Sequence, residues 1–299
     1  MICNTYPLRI QSLRDEIIRE IPRVPNNRAS RARLEAMHTS DLILAYLTWR
    51  MRLIPAKPRF VQFWSAGIDK SHFATVRTLL LPLLSKVASG KDLTPHLSYL
   101  VNRKGIVVAS QKTAGCRDDK DMMLTRMGLH HFHIEGMTPG NPKGRSKHLI
   151  FAEVTETTFT VIALTDHDAF NPMSPEGRRF HDICHSYIQK DMAPGTGYMM
   201  NPVMSSGHSL LLTIFSNECD AKMKQFDPLL DDPDFIEKIY ADLLVERPKK
   251  PKFSWYFDDL KFGLLETKAR VFFSIYPFFS CWRRFKTDHL CRFKIDQAL

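Results

Sequence analysis

The amino-acid sequence predicts an α+β protein with a basic helical N-terminal part, a small central antiparallel sheet and an α-rich C-terminal part. Three observations carry this expectation. Apolar residues recur at helical spacing through the first hundred residues. Between residues 129 and 167 the pattern shifts to runs rich in β-branched and aromatic residues, the composition of strands. Helix start signals then return after residue 174. The boundaries that follow are 1–170 for a helical plus antiparallel-sheet domain carrying a histidine cluster, 171–245 for an α/β extension packed on it, and 246–299 for a linker and helical tail.

Each element has its own justification. "LRIQSLRDEIIREI" places Leu13, Ile17, Ile18 and Ile21 at helical spacing and leaves Arg9, Arg14 and Arg19 to the other face. "DLILAYLTWRMRL" is a second helix, with Asp41 favourably placed in its first turn and Pro55 just beyond its end. "RFVQFW" (59–64) is a strand between Pro58 and Ser65. A helix through "SHFATVRTLLLPLLSKVAS" is expected to kink or end at Pro82 and to close at Gly90. "DDKDMMLTRM" is a helix entered through Asp118 or Asp119 and ended by Gly128.

Three strands follow, "LHHFHIE", "KHLIFAEVTE" and "TFTVIALTDH", the last two forming a hairpin around Thr155–Thr157. The first two are joined by a Gly/Pro-rich basic loop, "GMTPGNPKGRSK". Beyond them "PEGRRFHDICHSYIQ" is a helix, "APGTGYMMNPVMSSGHS" an irregular connection and "SLLLTIF" a buried strand. "DDPDFIEKIYADLL" is a helix capped by Asp231 or Asp232, with Pro233 near its first position. "ERPKKPK" is a charged linker, and "VFFSIYPFFSCWRRFK" is expected to form a packed terminal helix pair.

Composition narrows the function classes. The chain has 299 residues, 44% of them hydrophobic, enough for a sizeable core. Lys plus Arg number 42 against 32 Asp plus Glu, a net charge of +10 and a pI near 9.3, which favours polyanions such as RNA or other nucleic acid as partners. No apolar run approaches the roughly 20 residues of a membrane span, and "MICNTYPLRI" lacks a basic region followed by an apolar stretch, so a cytoplasmic protein is expected. Six scattered cysteines without a CxxC pair indicate free thiols, not a disulfide framework or zinc ribbon. The chain carries no P-loop, Rossmann glycine fingerprint, GxSxG elbow or HExxH pair.

The densest chemistry is "LHHFHIEG" (129–136). Strand alternation puts His131, His133 and Glu135 on one face, and His130, Phe132 and Ile134 on the other. His131 and His133 are therefore the functional pair, and His130 the structural one. Cleavage of RNA through its own 2′-hydroxyl needs a base for that hydroxyl, an acid for the leaving 5′-oxygen and a cation for the crowded phosphate. His131 or His133 suits the base, His167 or the other strand histidine the acid, and Arg145 or Lys147 the phosphate clamp. No cofactor is then required.

Two alternatives stand beside this reading. His131 and His133, with His181 and His185 four apart on a helix, have the spacing of ligands for a divalent metal such as zinc, as in a metal-dependent phosphodiesterase. The chain is otherwise a noncatalytic nucleic-acid-binding or toxin-regulating module, with an antitoxin or another protein as partner. A second basic motif, "WRMRLIPAKPR", gathers Arg50, Arg52, Lys57 and Arg59 around Trp49. With Lys143 and Lys147 it suits phosphate contacts, unless its arginines lock the helix exit instead.

Two segments, "YLTWRMRLIPAKPR" and "MGLHHFHIEG…HLIFAEVTETTFTVIALTDH", resemble a group of uncharacterised bacterial proteins. The shared pattern is a WRxRxI stretch leading through prolines to Pro-Arg, then a Gly-hydrophobic-His-His-x-His strand, over roughly residues 40–170. At the level of fold, helices before a small antiparallel sheet bearing His and Arg are similar to the barnase–EndoU–colicin–RelE type of ribonuclease, many of them toxins. That resemblance implies metal-independent RNA cleavage in a toxin or phage-defence setting, with His131, His133, Arg145 and His167 as the matching kinds of residue.

Overall fold

A computed structural model describes residues 6–107, 119–241, 246–276 and 294–295. In chain order the first elements are α1 (Leu8–Glu20), β1 (Arg23–Val24), α2 (Arg28–Glu35), α3 (Thr39–Arg50), β2 (Phe60–Phe63), α4 (Lys70–Ala88), α5 (Leu100–Arg103), β3 (Ile106–Val107) and α6 (Met122–Met127). They are followed by β4 (His130–His133), β5 (His148–Val154), β6 (Thr158–Asp166), α7 (Pro175–Gln189), α8 (Leu210–Phe226), α9 (Pro233–Tyr240), β7 (Phe253–Asp258), β8 (Lys261–Glu266), β9 (Val271–Tyr276) and β10 (Lys294–Ile295). The α+β class is thus observed. The chain divides into two compact units, Met1–Arg50 with Leu211–Leu299, and Met51–Leu210. These divisions fall at residues 50 and 210, where the sequence expectation put them at 170 and 245.

In the first unit α1 buries Ile10, Leu13, Ile17 and Ile18. Arg14, expected on the outer face, is 1% exposed, and its guanidinium donates to Thr39 Oγ1 and to the Glu35 and Met37 carbonyls. "SLLLTIF" is not a strand: it opens α8, whose Leu212, Phe215, Cys219 and Met223 are buried at three- and four-residue steps. The linker 246–252 holds no regular element, as expected. The terminal helix pair is corrected over Val271–Tyr276, which is strand β9 in the antiparallel order β10-β9-β8-β7; residues 277–293 lie outside the described residues. Trp255 on β7 stacks on Phe262 of β8 and donates from Nε1 to Asp227 at 2.7 Å, so its one polar atom is satisfied in the core.

The second unit is built on a sheet of order β2-β6-β5-β4. β5 runs antiparallel to β4 and β6, as expected, but β2 joins β6 in parallel, so the sheet is mixed. One face carries Phe132, Ile150, Phe159 and Val161 against Val76, Leu80, Leu83 and Val87 of α4. The helix continues through Pro82 without ending there. The other face carries Phe151, Ile162 and Ala163 against Phe180, Cys184 and Tyr187 of α7. Burial pushes the Cys184 thiol up to about 12, which keeps it protonated and apolar in character.

Register fixes the histidines. His131 lies opposite Phe151, His133 opposite Leu149, and Leu149 opposite Thr165 on β6, two residues before His167. Paired residues share a face, so His131, His133 and His167 emerge on the α7 side, at the end where β6 runs out. Gly128, at φ 72°, ends α6 and turns the chain into this strand in a conformation that few other residues adopt.

Candidate functional site

His131, His133, Arg145, Ser146, Lys147 and His167 line one open groove of about 670 Å3, together with Ser98, Tyr99, Leu100 and Phe170. The four residues expected to carry acid–base chemistry, His131, His133, His167 and Arg145, are therefore brought together. Ring centroids are 6.2 Å apart for His131 and His133, and 5.5 Å for His133 and His167. All this lies within the second unit.

Each imidazole is set by its neighbours. His131 Nδ1 lies 3.0 Å from Asp121 Oδ2, an ion-pair distance without a well-formed hydrogen bond. The contact orients the ring so that Nδ1 faces the carboxylate and Nε2 is left for other work. Burial alone would raise the Asp121 carboxyl. The neighbouring His131 and the Leu124 N–H more than offset it, so the group is lowered and ionised.

His133 is 6% exposed, and its Nδ1 accepts from the Ser146 N–H at 3.4 Å. It is pulled down to about 4, first by burial and then by His131, His167 and Arg145, so at neutral pH it is an uncharged imidazole. His167 donates from Nε2 to the Ser146 carbonyl at 3.0 Å. Ser146 thus ties two of the histidines to the loop, while its own hydroxyl accepts from Ile134 N–H and donates to the His148 carbonyl. His130 is on the opposite face beside Phe132 and is likewise held to about 4 by burial, which fits the structural role expected for it.

Behind β4, His96 is 2% exposed; its Nδ1 donates to the His133 carbonyl at 2.9 Å, and Lys86 donates to its Nε2 at 2.9 Å. Asp121 and His96 were not singled out from the sequence. The only local signal for Asp121 is its place as cap of α6, where Oδ1 accepts from Met123 and Leu124 N–H; the expected caps were Asp119 and Asp118, and the latter lies outside the described residues.

The second basic motif is corrected. Arg59 is 6% exposed and donates to the carbonyls of Thr155, Pro55 and Lys57. Lys57 is paired with Glu156, and Arg50 lies 3.2 Å from Asp259. Arg52, 5% exposed, donates to the Lys104 carbonyl at 2.7 Å. The buried Arg52 and Arg59 donate to backbone carbonyls, and the half-buried Arg50 and Lys57 meet carboxylates. Of the residues expected to touch nucleic acid, Lys143 and Lys147 are exposed on the β4–β5 loop, and Lys147 reaches the groove.

The metal alternative fares differently. His181 and His185 face each other on α7 with Nε2 atoms 2.7 Å apart. Among the described residues no group of three or more His, Cys, Asp or Glu side chains is arranged to hold a metal ion, so the four histidines expected as ligands are not assembled. No helix among the described residues is long and apolar enough to cross a membrane. Comparison of the chain with protein-family models, with curated proteins and with solved structures finds no match.

Proposed function

We propose that the protein cleaves RNA by internal transesterification at the groove of His131, His133, His167 and Arg145. The observation that carries this reading is the orientation of His131 by Asp121 beside two further histidines and two exposed cations, Arg145 and Lys147, in one groove. His131 Nε2 takes the proton of the ribose 2′-hydroxyl, whose oxygen attacks the adjacent phosphorus. The bond from phosphorus to the 5′-oxygen breaks, and that oxygen takes a proton from His167 through Nδ1, since Nε2 is held by Ser146. Uncharged His133 offers a hydrogen bond to the phosphate, and Arg145 with Lys147 balances its charge. Side chains supply every role, so the chemistry asks for no metal.

The net charge of +10 supports a polyanionic substrate. A cytoplasmic toxin or phage-defence setting rests on the resemblance to ribonuclease toxins alone. The test is incubation of the purified chain with RNA in the presence of a chelator. Cleavage leaving 2′,3′-cyclic phosphate and 5′-hydroxyl ends is expected, with loss of cleavage in His131→Ala at nearly unchanged thermal stability. Cleavage that stops with the chelator, or RNA bound and left intact, would overturn the reading.

A further inference from the structure

A second pair of histidines lies on the face of the sheet away from the groove. His148 opens β5 and shares the face of Ile150, which packs on α4, whereas Lys147, one residue earlier, reaches the groove on the other side. His72, in the first turn of α4, meets it there: His72 Nε2 and His148 Nδ1 are 3.3 Å apart, with ring centroids at 5.3 Å and ring planes at 62°. Both residues are half-buried.

The gap has the size of an ion. Hydrogen bonds from an N–H span roughly 2.7–3.2 Å, and 3.3 Å is long for one. Two nitrogens that each stand 2.0–2.1 Å from one tetrahedral zinc ion are about 3.3–3.4 Å apart. The centroid spacing is shorter than two rings meeting head-on across that gap show, so the rings meet at an angle, as two ligands of one ion do. His181 and His185, at 2.7 Å, are closer than a shared tetrahedral ion sets its ligands. The surroundings suit a cation. Burial first, then His72 and Lys147, lower His148, so its ring is uncharged at neutral pH, the state that ligates a metal. Asp166 lies opposite His148 in the β5–β6 ladder and so on the same face. Its Oδ1 accepts from the Asp168 N–H, and its carboxylate makes no other hydrogen bond among the described residues. Glu135 adds a second negative charge near His148, against the positive charge of Lys147.

We propose that His72 and His148 bind a divalent transition-metal ion such as zinc, with water completing the tetrahedron, as a clip between α4 and β5. With the His72 proton on Nδ1, both facing nitrogens present lone pairs, and no net proton is released on binding. Water fills the other positions because no third ligating side chain is arranged around the pair among the described residues. The ion joins the start of α4 to the start of β5, on the face opposite the groove. It therefore stabilises the fold and takes no part in RNA cleavage.

The test titrates zinc chloride into the intact chain carrying His181→Ala and His185→Ala, which removes the second histidine pair, and follows the heat by calorimetry. One zinc ion per chain is expected, with a melting temperature that rises as zinc is added. His72→Gln and His148→Gln keep a hydrogen-bonding side chain but lose the ligating imidazole. Each is expected to weaken binding by about 100-fold and to abolish the rise in melting temperature. Circular dichroism melting without zinc identifies a variant that fails to fold, and the other then decides. Absence of zinc binding by the parent chain, or undiminished binding in a folded Gln variant, overturns the clip. RNA cleavage in chelator by a chain that binds no zinc removes the clip and leaves the ribonuclease reading standing. Zinc binding lost in the Gln variants, without RNA cleavage, does the reverse.

Discussion

Asp121 Oδ2 stands 3.0 Å from His131 Nδ1, while the other oxygen of the same carboxylate caps α6 through the Met123 and Leu124 amides. One side chain thus fixes a helix start and the ring on the neighbouring strand. Asp121→Asn separates the two functions. An amide caps a helix about as well as a carboxylate, so stability should change by no more than about 1 kcal/mol. It no longer favours the tautomer with a proton on Nδ1, so RNA cleavage should fall by tenfold or more, by analogy with the losses of roughly 10–10,000-fold seen when the partner of a working histidine is altered. Full activity in the Asn variant would show that Asp121 serves the helix alone.

Arg145 and Lys147 are exposed and line the groove, so removing them should leave folding intact. Arg145→Ala is expected to lower cleavage by about 100-fold, the scale of one lost donor to a developing negative charge. Lys147→Ala should chiefly weaken binding and reduce the salt dependence of RNA affinity by about one phosphate contact. Filter-binding titrations across a salt series, run beside single-turnover cleavage, distinguish the two.

Arg59 has the opposite expectation. Its donors hold three carbonyls at the entry to β2, and it is 6% exposed. Arg59→Ala should cost about 2–3 kcal/mol by leaving those acceptors unpaired, with no change in the salt slope of RNA binding. Urea unfolding and the same salt series check both halves of that statement.

His133 makes stability depend on pH. Burial, and then His131, His167 and Arg145 beside it, hold it to about 4, against an ordinary value of 6.5. As pH falls below 6.5 the unfolded chain takes up this proton and the folded chain does not, so stability present at neutral pH is lost between 6.5 and 4, by up to about 3 kcal/mol. His130, held to about 4 in the same way, adds to the slope. Melting temperatures measured from pH 7.5 downward should fall through this window. His133→Gln should fall less steeply, and an unchanged slope would show that the histidine is not the group responsible.

Much of the site was legible in the sequence because strand alternation is a local property. A period of two placed His131 and His133 together, and the hairpin brought His167 level with them through the pairing of Leu149 with Thr165. What escaped depends on long-range packing. Asp121 looks like any acidic residue before a short helix, and His96, 37 residues before His133, meets it only through the fold. "WRMRLIPAKPR" reads as a phosphate surface because sequence records charge but not burial. The seven residues of "SLLLTIF" are too short to tell a buried strand from a buried helix, and only Cys219 and Met223 further on reveal the helical step. The β7–β8 and β8–β9 turns place Asp259 and Arg270 at φ 55° and 56°, without the Asn-Gly or Asp-Gly pair that usually announces a hairpin.

The bond from His96 to the His133 carbonyl has a consequence for solubility. Among the described residues β4 is the last strand on its side of the sheet, and the Ile134 amide turns inward toward β5, so the His133 carbonyl points outward. An outward row of carbonyls and amides is a template on which another chain can add a strand and seed aggregates. At the point where β4 meets the groove that template is plugged by an imidazole, itself anchored by Lys86. The histidine strand is thereby closed to strand addition at its C-terminal end, while His131 and His133 still line the groove.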